Sequence, residues 1–286
     1  MKTIKDVFAA FKQGLNEVYD TNETEALTLL VISEISELSK AIIKAFPEKE
    51  LPIEQIENLV SILSQLKTGK PIQYILGKTE FYGLTFNVNQ SVLIPRPETE
   101  ELVEWVLSAV NNNKLIGGNI IDIGTGSGCI AISLKNNLPA FTVAAIDISA
   151  EALQIARSNA ELNNAEVKFI EGDILNVTPE IERLKADIIV SNPPYVTLHD
   201  KTQMHSNVTD FEPHTALFVP ENDPLLFYRE IAVFASAHLS QNGLLFFEIN
   251  ESFGNETVEL LTANGFINTE LRKDMSGRDR MIKASK

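Results

Sequence analysis

Residues 118 to 132 read GNIIDIGTGSGCIAI. The β-branched run before Gly124 predicts a buried strand, and the apolar residues after Gly128 predict a helix. Between them, glycines at alternate positions let the backbone turn tightly and approach a ligand without a Cβ clash. A strand, a glycine-rich turn and a helix in succession are typical of a parallel α/β sheet, in which ligands bind beyond the carboxyl ends of the strands.

The same alternation of strand and helix continues through the rest of the chain. It predicts a doubly wound, mostly parallel sheet with helices on both faces, closed by an antiparallel hairpin at the carboxyl-terminal end. Strands are predicted at 118–124, 141–149, 167–174, 186–195 and 243–250, with helices at 129–137, 151–164 and 223–239.

The first part of the chain has a different pattern. Residues 1–75 carry apolar side chains at three- and four-residue spacing, which predicts a small helical bundle. Asn22, followed by Glu25, matches a helix-capping pattern. Pro52 and Gly69 predict the start and the end of a later helix.

Residues 76–100 separate this bundle from the α/β region. Phe81, Leu84, Phe86 and Val88 alternate along a β-hairpin, and we place its turn at 87–91. The expected organisation is therefore a helical bundle at 1–75, a β-hairpin linker at 76–100 and an α/β domain at 101–286.

Composition narrows the functional classes. The chain of 286 residues carries a net charge of −15, which argues against a large nucleic-acid footprint, because binding to phosphates needs cations. Cys129 is the only cysteine, so an internal disulfide or a cysteine-based metal cluster is excluded. The first residues do not resemble a signal peptide, and no run is apolar enough for a membrane helix. We expect a cytoplasmic protein, and nothing in the sequence requires an oligomer, so we expect a monomer.

The spacing of the glycine loop excludes two common nucleotide-binding motifs. A dinucleotide fingerprint requires Gly-x-Gly-x-x-Gly, but Cys129 occupies the place of its third glycine, and no Gly-Lys-Ser/Thr of a Walker loop follows. Asp122, just before the loop, would repel a pyrophosphate. A carboxylate at that place favours a cationic or zwitterionic ligand.

Acidic residues also end the next two strands. Asp147, 19 residues after Gly128, is placed to accept both hydroxyls of a ribose. Asp173 follows the third strand and could accept from an adenine amino group, while Ile174 could cover the ring. A nucleoside without phosphates and with a cationic tail fits these groups, and S-adenosyl-L-methionine is such a molecule.

The fourth strand ends in Asn192-Pro193-Pro194-Tyr195. A planar nitrogen is a poor nucleophile because its lone pair is delocalised. The Asn192 side-chain carbonyl and the Pro193 backbone carbonyl can grip both hydrogens of an NH₂ group, and proline rigidity fixes these acceptors. Tyr195 can stack on a flat amide or base. The sequence therefore predicts a methyl transfer to a planar NH₂ group, with glutamine and adenine both open as substrates.

These motifs together resemble the protein-(glutamine-N5) methyltransferases of class I peptide-chain release factors, the PrmC or HemK family. The resemblance rests on DIGTGSG, Asp147, the GD at 172–173, SNPPY, the PIQYILGKTEFYGLTFNVNQSVLIPRPETEELVE segment and FEPHTALF at 211–218. It implies a Rossmann-like class I methyltransferase domain behind a helical bundle.

The resemblance also implies site residues and a reaction. The substrate is the glutamine of the Gly-Gly-Gln loop of release factors, methylated on N5 with S-adenosyl-L-homocysteine as the second product. Asn192 also contacts the cofactor, and Asn192, Pro193, Pro194 and Tyr195 hold the glutamine. The remaining implied cofactor residues are Gly124, Thr125, Gly126, Ser127, Gly128, Asp147 and Ile174.

Two alternative functions fit these residues less well. An adenine-N6 DNA methyltransferase would use the same grip on a flipped base but needs a basic recognition region that this chain lacks. A non-enzymatic binding module with a decayed pocket is disfavoured by the intact loop and acids. The histidines have no metal-ligand spacing, so no metal is expected. We interpret His199, His205 and His214 as loop residues and His238 as a helix-surface residue.

Overall fold

A computed structural model describes residues 1–286, apart from the side chain of Ser206. The chain divides into two compact units. The first comprises Met1–Leu76 together with Ser206–Phe211, and the second comprises Gly77–His205 and Glu212–Lys286.

The first unit is built mainly from α1 (Ile4–Leu15), α2 (Thr21–Ser36), α3 (Lys40–Ala45), α4 (Ile53–Leu66) and α5 (Ile72–Leu76). Its core is formed by one face of each of the longer helices. The fully buried members of that core include Ile4, Val7, Phe11, Leu15, Val31, Ile32, Leu59 and Leu66.

The ends of these helices differ in part from the sequence predictions. Helix α2 begins two residues earlier than the Asn22 pattern predicts, because Asp20 is the cap and its side chain accepts from the Glu23 backbone N–H at 2.9 Å. Pro52 is the residue that precedes α4, as predicted, whereas that helix ends at Leu66 and not at Gly69.

The second unit opens with a β-hairpin, as predicted, formed by β1 (Lys78–Phe81) and β2 (Leu84–Asn87). The predicted position of its turn was wrong. The chain reverses at Tyr82 and Gly83, whose φ angles are 49° and 72°, and the segment at 87–91 follows the second strand. Glycine adopts such an angle without steric cost, which makes Gly83 a suitable turn residue.

The doubly wound α/β fold predicted from alternating strands and helices is present in the rest of the unit. Its elements, in chain order with the short helices between them, are α6 (Pro97–Asn112), β3 (Gly118–Ile123), α7 (Cys129–Asn137), β4 (Phe141–Asp147), α8 (Ala150–Leu162), β5 (Val167–Glu171), β6 (Ala186–Ser191), α9 (Leu198–Lys201), α10 (Ser206–Thr209), α11 (His214–Leu217), α12 (Leu226–His238), β7 (Leu239–Glu248), α13 (Gly254–Ala263), β8 (Ile267–Lys273) and β9 (Asp279–Ser285). Of these, α10 belongs to the first unit.

The strands form one sheet of seven in the order β5-β4-β3-β6-β7-β9-β8. The first five pair in parallel, and the terminal hairpin β8–β9 is antiparallel. The chain runs outward from β3 to β5 on one side and from β6 to β7 on the other. The sheet therefore has its topological switch point between β3 and β6, where ligands bind in this class of fold.

Side chains at alternate strand positions point to opposite faces of this sheet, and both faces are buried. Ile120, Val143 and Phe246 belong to one apolar cluster with α6 and α7, whereas Ile121, Ile146 and Phe247 belong to another with α12. Coverage of both faces explains why the strands are nearly continuous apolar runs in the sequence.

Three sequence interpretations outside the sheet were wrong. His199 and His214 lie in the short helices α9 and α11, and not in loops. His238 is buried and not on a helix surface: its ring stacks on Phe234 with centroids 3.9 Å apart, and its Nδ1 lies 2.7 Å from the Phe234 carbonyl oxygen. Among the helices of the described chain, none combines the length and apolar character needed to cross a bilayer.

Candidate active site

A cavity of about 370 Å³ lies at the switch point, at the carboxyl ends of β3, β4, β5 and β6. Its volume is within the range of roughly 300–1,000 Å³ of small-molecule sites. Ten predicted site residues line it: Gly124, Thr125, Gly126, Ser127, Asp147, Asp173, Ile174, Asn192, Pro193 and Pro194. Asp122, Gly128 and Tyr195 are not part of this lining.

The glycine loop between β3 and α7 is held in place by backbone hydrogen bonds. The N–H groups of Gly124 and Thr125 both donate to the Ile146 carbonyl, at 2.9 and 3.0 Å. Gly126 has φ 54°, and its N–H donates to Asp147 Oδ2 at 2.7 Å. The loop and the end of β4 therefore form one wall of the cavity.

Gly128 does not line the cavity but packs closely against Ile132 of α7 and Ala156 of α8. It precedes α7 with φ 82°, and an added Cβ would lie 2.9 Å from Ile132 Cδ1 and 3.2 Å from Ala156 Cβ. Only glycine meets both requirements at this place, because the left-handed backbone and the close approach of α8 each disfavour a side chain.

Asp147 ends β4 with its carboxylate at the cavity. Oδ1 accepts from the Ser149 N–H at 2.9 Å, while Oδ2 accepts from Gly126. Burial raises the pKa of Asp147, and these backbone donors oppose that rise. Each carboxylate oxygen has a second lone pair, so Asp147 retains acceptor capacity for a ligand hydroxyl.

Asp122 lies in β3, fully buried below the loop. Thr125 Oγ1 donates to its Oδ2 at 2.6 Å. Burial raises the pKa of Asp122 to about 7, and the Thr125 hydrogen bond opposes that rise without cancelling it. A cation close to this carboxyl group would favour its ionised form, because opposite charge lowers the pKa of an acid.

Asp173 and Ile174 follow β5 on the far side of the cavity. Asp173 Oδ1 accepts from the Leu175 N–H at 2.8 Å, which turns the chain after the strand. Ile174 presents an apolar side chain to the same cavity and packs against the cluster that includes Ile170.

The Asn192-Pro193-Pro194-Tyr195 segment follows β6. Because Ile123 pairs with Ser191, Asn192 emerges beside Gly124. Asn192 Nδ2 donates to Thr99 Oγ1 at 3.2 Å. The Tyr195 hydroxyl donates to Glu248 Oε1 at 3.0 Å, away from the cavity lining. Burial raises the pKa of Tyr195 well above its usual value, and the Glu248 charge adds to that rise.

Two further charged groups at the site were missed from the sequence. Arg96 lines the cavity, and its Nη2 lies 2.5 Å from Oε1 of the buried Glu212. Glu212 Oε2 also accepts from the Ile94 N–H at 3.2 Å. Arg96 lies in the segment at 71–104 and Glu212 in FEPHTALF at 211–218, and both stretches carry the family resemblance. No local sequence pattern indicates that the two side chains pair.

The class of protein follows from this fold and its relatives. A family model described as "Methyltransferase small domain" matches residues 102–211, and the "PrmC N-terminal domain" model matches residues 6–77. The solved structure of a methyltransferase from Pyrococcus furiosus superposes with a TM-score of 0.51 at 16% identity, covering 81% of this chain and 98% of that one. The chain is a class I methyltransferase whose methyl donor is S-adenosyl-L-methionine.

Two relatives that match over nearly their full length identify the family within this class. A release factor glutamine methyltransferase of Flavobacterium psychrophilum is 49% identical over 99% of both chains. Another, of Bacteroides thetaiotaomicron, is 41% identical over 98% of this chain and 99% of its own length. The chain belongs to the release factor glutamine methyltransferase family.

Proposed function

We propose that this enzyme methylates N5 of the glutamine in the Gly-Gly-Gln motif of class I translation release factors, with S-adenosyl-L-homocysteine as the second product. The choice of a release-factor glutamine is supported by the two full-length relatives, and the observation in the site that supports an NH₂ group as methyl acceptor is the orientation of Asn192. Thr99 accepts from its amide nitrogen, which leaves the side-chain oxygen as the end of the amide that a substrate NH₂ group meets at the cavity.

The residues around the cavity fit S-adenosyl-L-methionine. Asp147 would accept from the ribose hydroxyls, and Asp173 with Ile174 would hold the adenine. The 124–128 loop would lie along the methionine part, with the Asp122 carboxyl below it as the counter-charge of the cationic groups. When bound, the cofactor supplies an electrophilic methyl group on a sulfonium.

The chain itself positions the nucleophile. Asn192 Oδ1 and the Pro193 carbonyl accept the two N–H groups of the substrate amide, which turns its nitrogen toward the methyl group. Pro193 and Pro194 keep these acceptors rigid, because their φ angles are fixed by the ring. Such orientation can lower a barrier by up to roughly 7–11 kcal/mol.

The proton balance requires no base in the protein. S-adenosyl-L-methionine would supply the methyl group for the new N–C bond and keep the electron pair of its broken S–C bond, which gives S-adenosyl-L-homocysteine. The nitrogen gains positive character, so one N–H proton becomes acidic and leaves to water. Tyr195, whose hydroxyl is tied to Glu248, would offer its ring to the flat amide.

We assign docking of the substrate and methyl transfer to different parts of the chain. We propose that residues 1–75 dock the release factor, that 76–100 act as linker and that 101–286 carry the chemistry, in a monomeric protein without a nucleic-acid partner. A cytoplasmic location would place the enzyme with its translational substrate.

One experiment separates the proposed substrate from adenine. The protein is incubated with labelled S-adenosyl-L-methionine, a class I release factor and plasmid DNA in the same tube. We expect label on the Gly-Gly-Gln glutamine, located by mass spectrometry of the digested factor. Label in the DNA and not in the factor would overturn the proposal, and a Gln→Ala release factor serves as the control.

A further inference from the structure

Behind Asn192 lies a short chain of buried hydrogen bonds that ends at a carboxylate. Asn192 Nδ2 donates to Thr99 Oγ1 at 3.2 Å, and Thr99 Oγ1 donates to Glu248 Oε2 at 2.6 Å. Thr99 is 2% exposed and Glu248 is 1% exposed. The chain joins the first turn of α6 to the ends of β6 and β7.

The direction of these bonds is determined by Glu248. Burial raises the pKa of Glu248, whereas the hydroxyl donors of Thr99 and Tyr195 and the charge of Arg280 oppose that rise and favour the ionised form. An ionised carboxylate only accepts, so the single Thr99 hydroxyl proton is committed to it. The Thr99 oxygen then offers only lone pairs to its other neighbour. Asn192 must therefore present its NH₂ end to Thr99, which directs the amide oxygen to the other side.

This direction matters because an asparagine amide is nearly symmetric in shape. A flip by half a turn would exchange Oδ1 and Nδ2 with little steric cost. The flipped amide would face a substrate NH₂ group with hydrogens of its own, and no hydrogen bond could form. The correct orientation has to be enforced by a neighbour with fixed polarity.

We propose that Glu248, acting through Thr99, is a positioning residue that sets which end of the Asn192 amide faces the substrate. The inference rests on the proposed function, since it assigns a role in holding the substrate NH₂ group. Glu248 also accepts from the Tyr195 hydroxyl at 3.0 Å. The Glu248 carboxylate is therefore linked to both ends of the Asn-Pro-Pro-Tyr segment, directly to Tyr195 and through Thr99 to Asn192.

Glu248→Gln tests whether it matters that the carboxylate at this position can only accept hydrogen bonds. The amide of Glu248→Gln can donate to Thr99, whose proton is then free to point at Asn192 and to stabilise the flipped form. Thr99→Val removes the acceptor while keeping the shape of the side chain. We expect kcat for glutamine methylation to fall roughly 10- to 100-fold in each variant, the size expected for a buried polar group left unpaired.

Three comparisons separate positioning from a general structural defect. Thr99→Ser keeps the hydroxyl and should recover most of the rate that Thr99→Val loses. The Kd for S-adenosyl-L-homocysteine, measured by calorimetry, should change less than threefold in all variants. Thr257→Val is the matched control, because Thr257 is another buried threonine, in α13, and its hydroxyl donates to the carbonyl of Phe253, the residue before that helix.

The orientation can also be read without methyl transfer. In protein labelled with ¹⁵N-asparagine, the Asn192 side-chain NH₂ signal is identified by its loss in Asn192→Ala. We expect this signal to shift in Thr99→Val and Glu248→Gln and to stay in place in Thr257→Val. An unmoved signal, or full turnover in both variants, would overturn the inference. An inactive wild-type enzyme with the expected NMR shifts would instead overturn the proposed substrate alone.

Discussion

The buried carboxyl group of Asp122 predicts an unusual dependence of stability on pH in the cofactor-free protein. Its pKa is about 7 in the folded chain, against an ordinary value of 3.8. A carboxyl group with a raised pKa binds its proton more tightly when folded, so it favours the folded state at low pH. That contribution is lost as the pH rises toward 7.

The size of the effect follows from the shift. About three pKa units at roughly 1.4 kcal/mol each correspond to about 4 kcal/mol of stability lost above pH 7. Between pH 5 and pH 8, where the unfolded carboxyl group is already ionised, the loss is about 2.5 kcal/mol. Asp122→Asn removes the titration while leaving an oxygen for the Thr125 hydroxyl, so this part of the pH dependence should disappear.

The assay is urea unfolding of the full chain at several pH values, followed by tryptophan fluorescence. Trp105 is the only tryptophan, and it packs against Phe246 with ring centroids 5.6 Å apart, so the signal reports on the second unit. Glu259→Gln, on an exposed helix face, makes the same change in formal charge and serves as control. Unfolding free energies of wild type and Asp122→Asn that run parallel from pH 5 to 8 would refute the reasoning.

Three further outcomes test the site. Asn192→Ala should abolish methyl transfer but leave cofactor affinity within about tenfold, the loss of roughly one hydrogen bond; near-normal turnover would contradict the assigned grip. Asp147→Ala should weaken cofactor binding by roughly 100-fold in calorimetry, because two charge-assisted hydrogen bonds are lost, with Asp147→Asn intermediate; unchanged affinity would remove Asp147 from the site. Gly128→Ala should destabilise the second unit by about 2 kcal/mol or more, because the new Cβ meets Ile132 at 2.9 Å and a φ of 82° is strained for alanine. An unfolding free energy equal to that of the wild type would contradict this packing argument.

The parts of the fold that the sequence predicted are those with a local cause. Buried parallel strands are largely apolar runs, and glycine or aspartate follows or ends β3, β4 and β5 while Asn192-Pro193 follows β6, so these strands and the loop after Ile123 could be placed from the local sequence alone. The hairpin turn was misplaced because residues 87–91 contain more turn-forming side chains than Tyr82 and Gly83 do. Local composition could not show that a tyrosine adopts a left-handed angle there.

The parts that were missed depend on contacts between distant positions. Thr99 and Glu248 are 149 residues apart, and nothing near either of them indicates a hydrogen bond. The same holds for Arg96 with Glu212, 116 residues apart. The sequence interpretation places His238 on a helix surface, whereas its ring is buried and stacks on Phe234.

The placement of β9 between β7 and β8 has a consequence for how the enzyme matures during synthesis. Strand β7 is made before β9, and its outer hydrogen-bonding edge stays open until residues 279–285 have left the ribosome. Glu248 pairs with Met281 across that edge, so the backbone that carries the carboxylate behind Asn192 gains its second strand partner only when β9 docks. A nascent chain that ends before β9 therefore already contains the glycine loop and the Asn-Pro-Pro-Tyr segment, but not the strand that pairs with the end of β7.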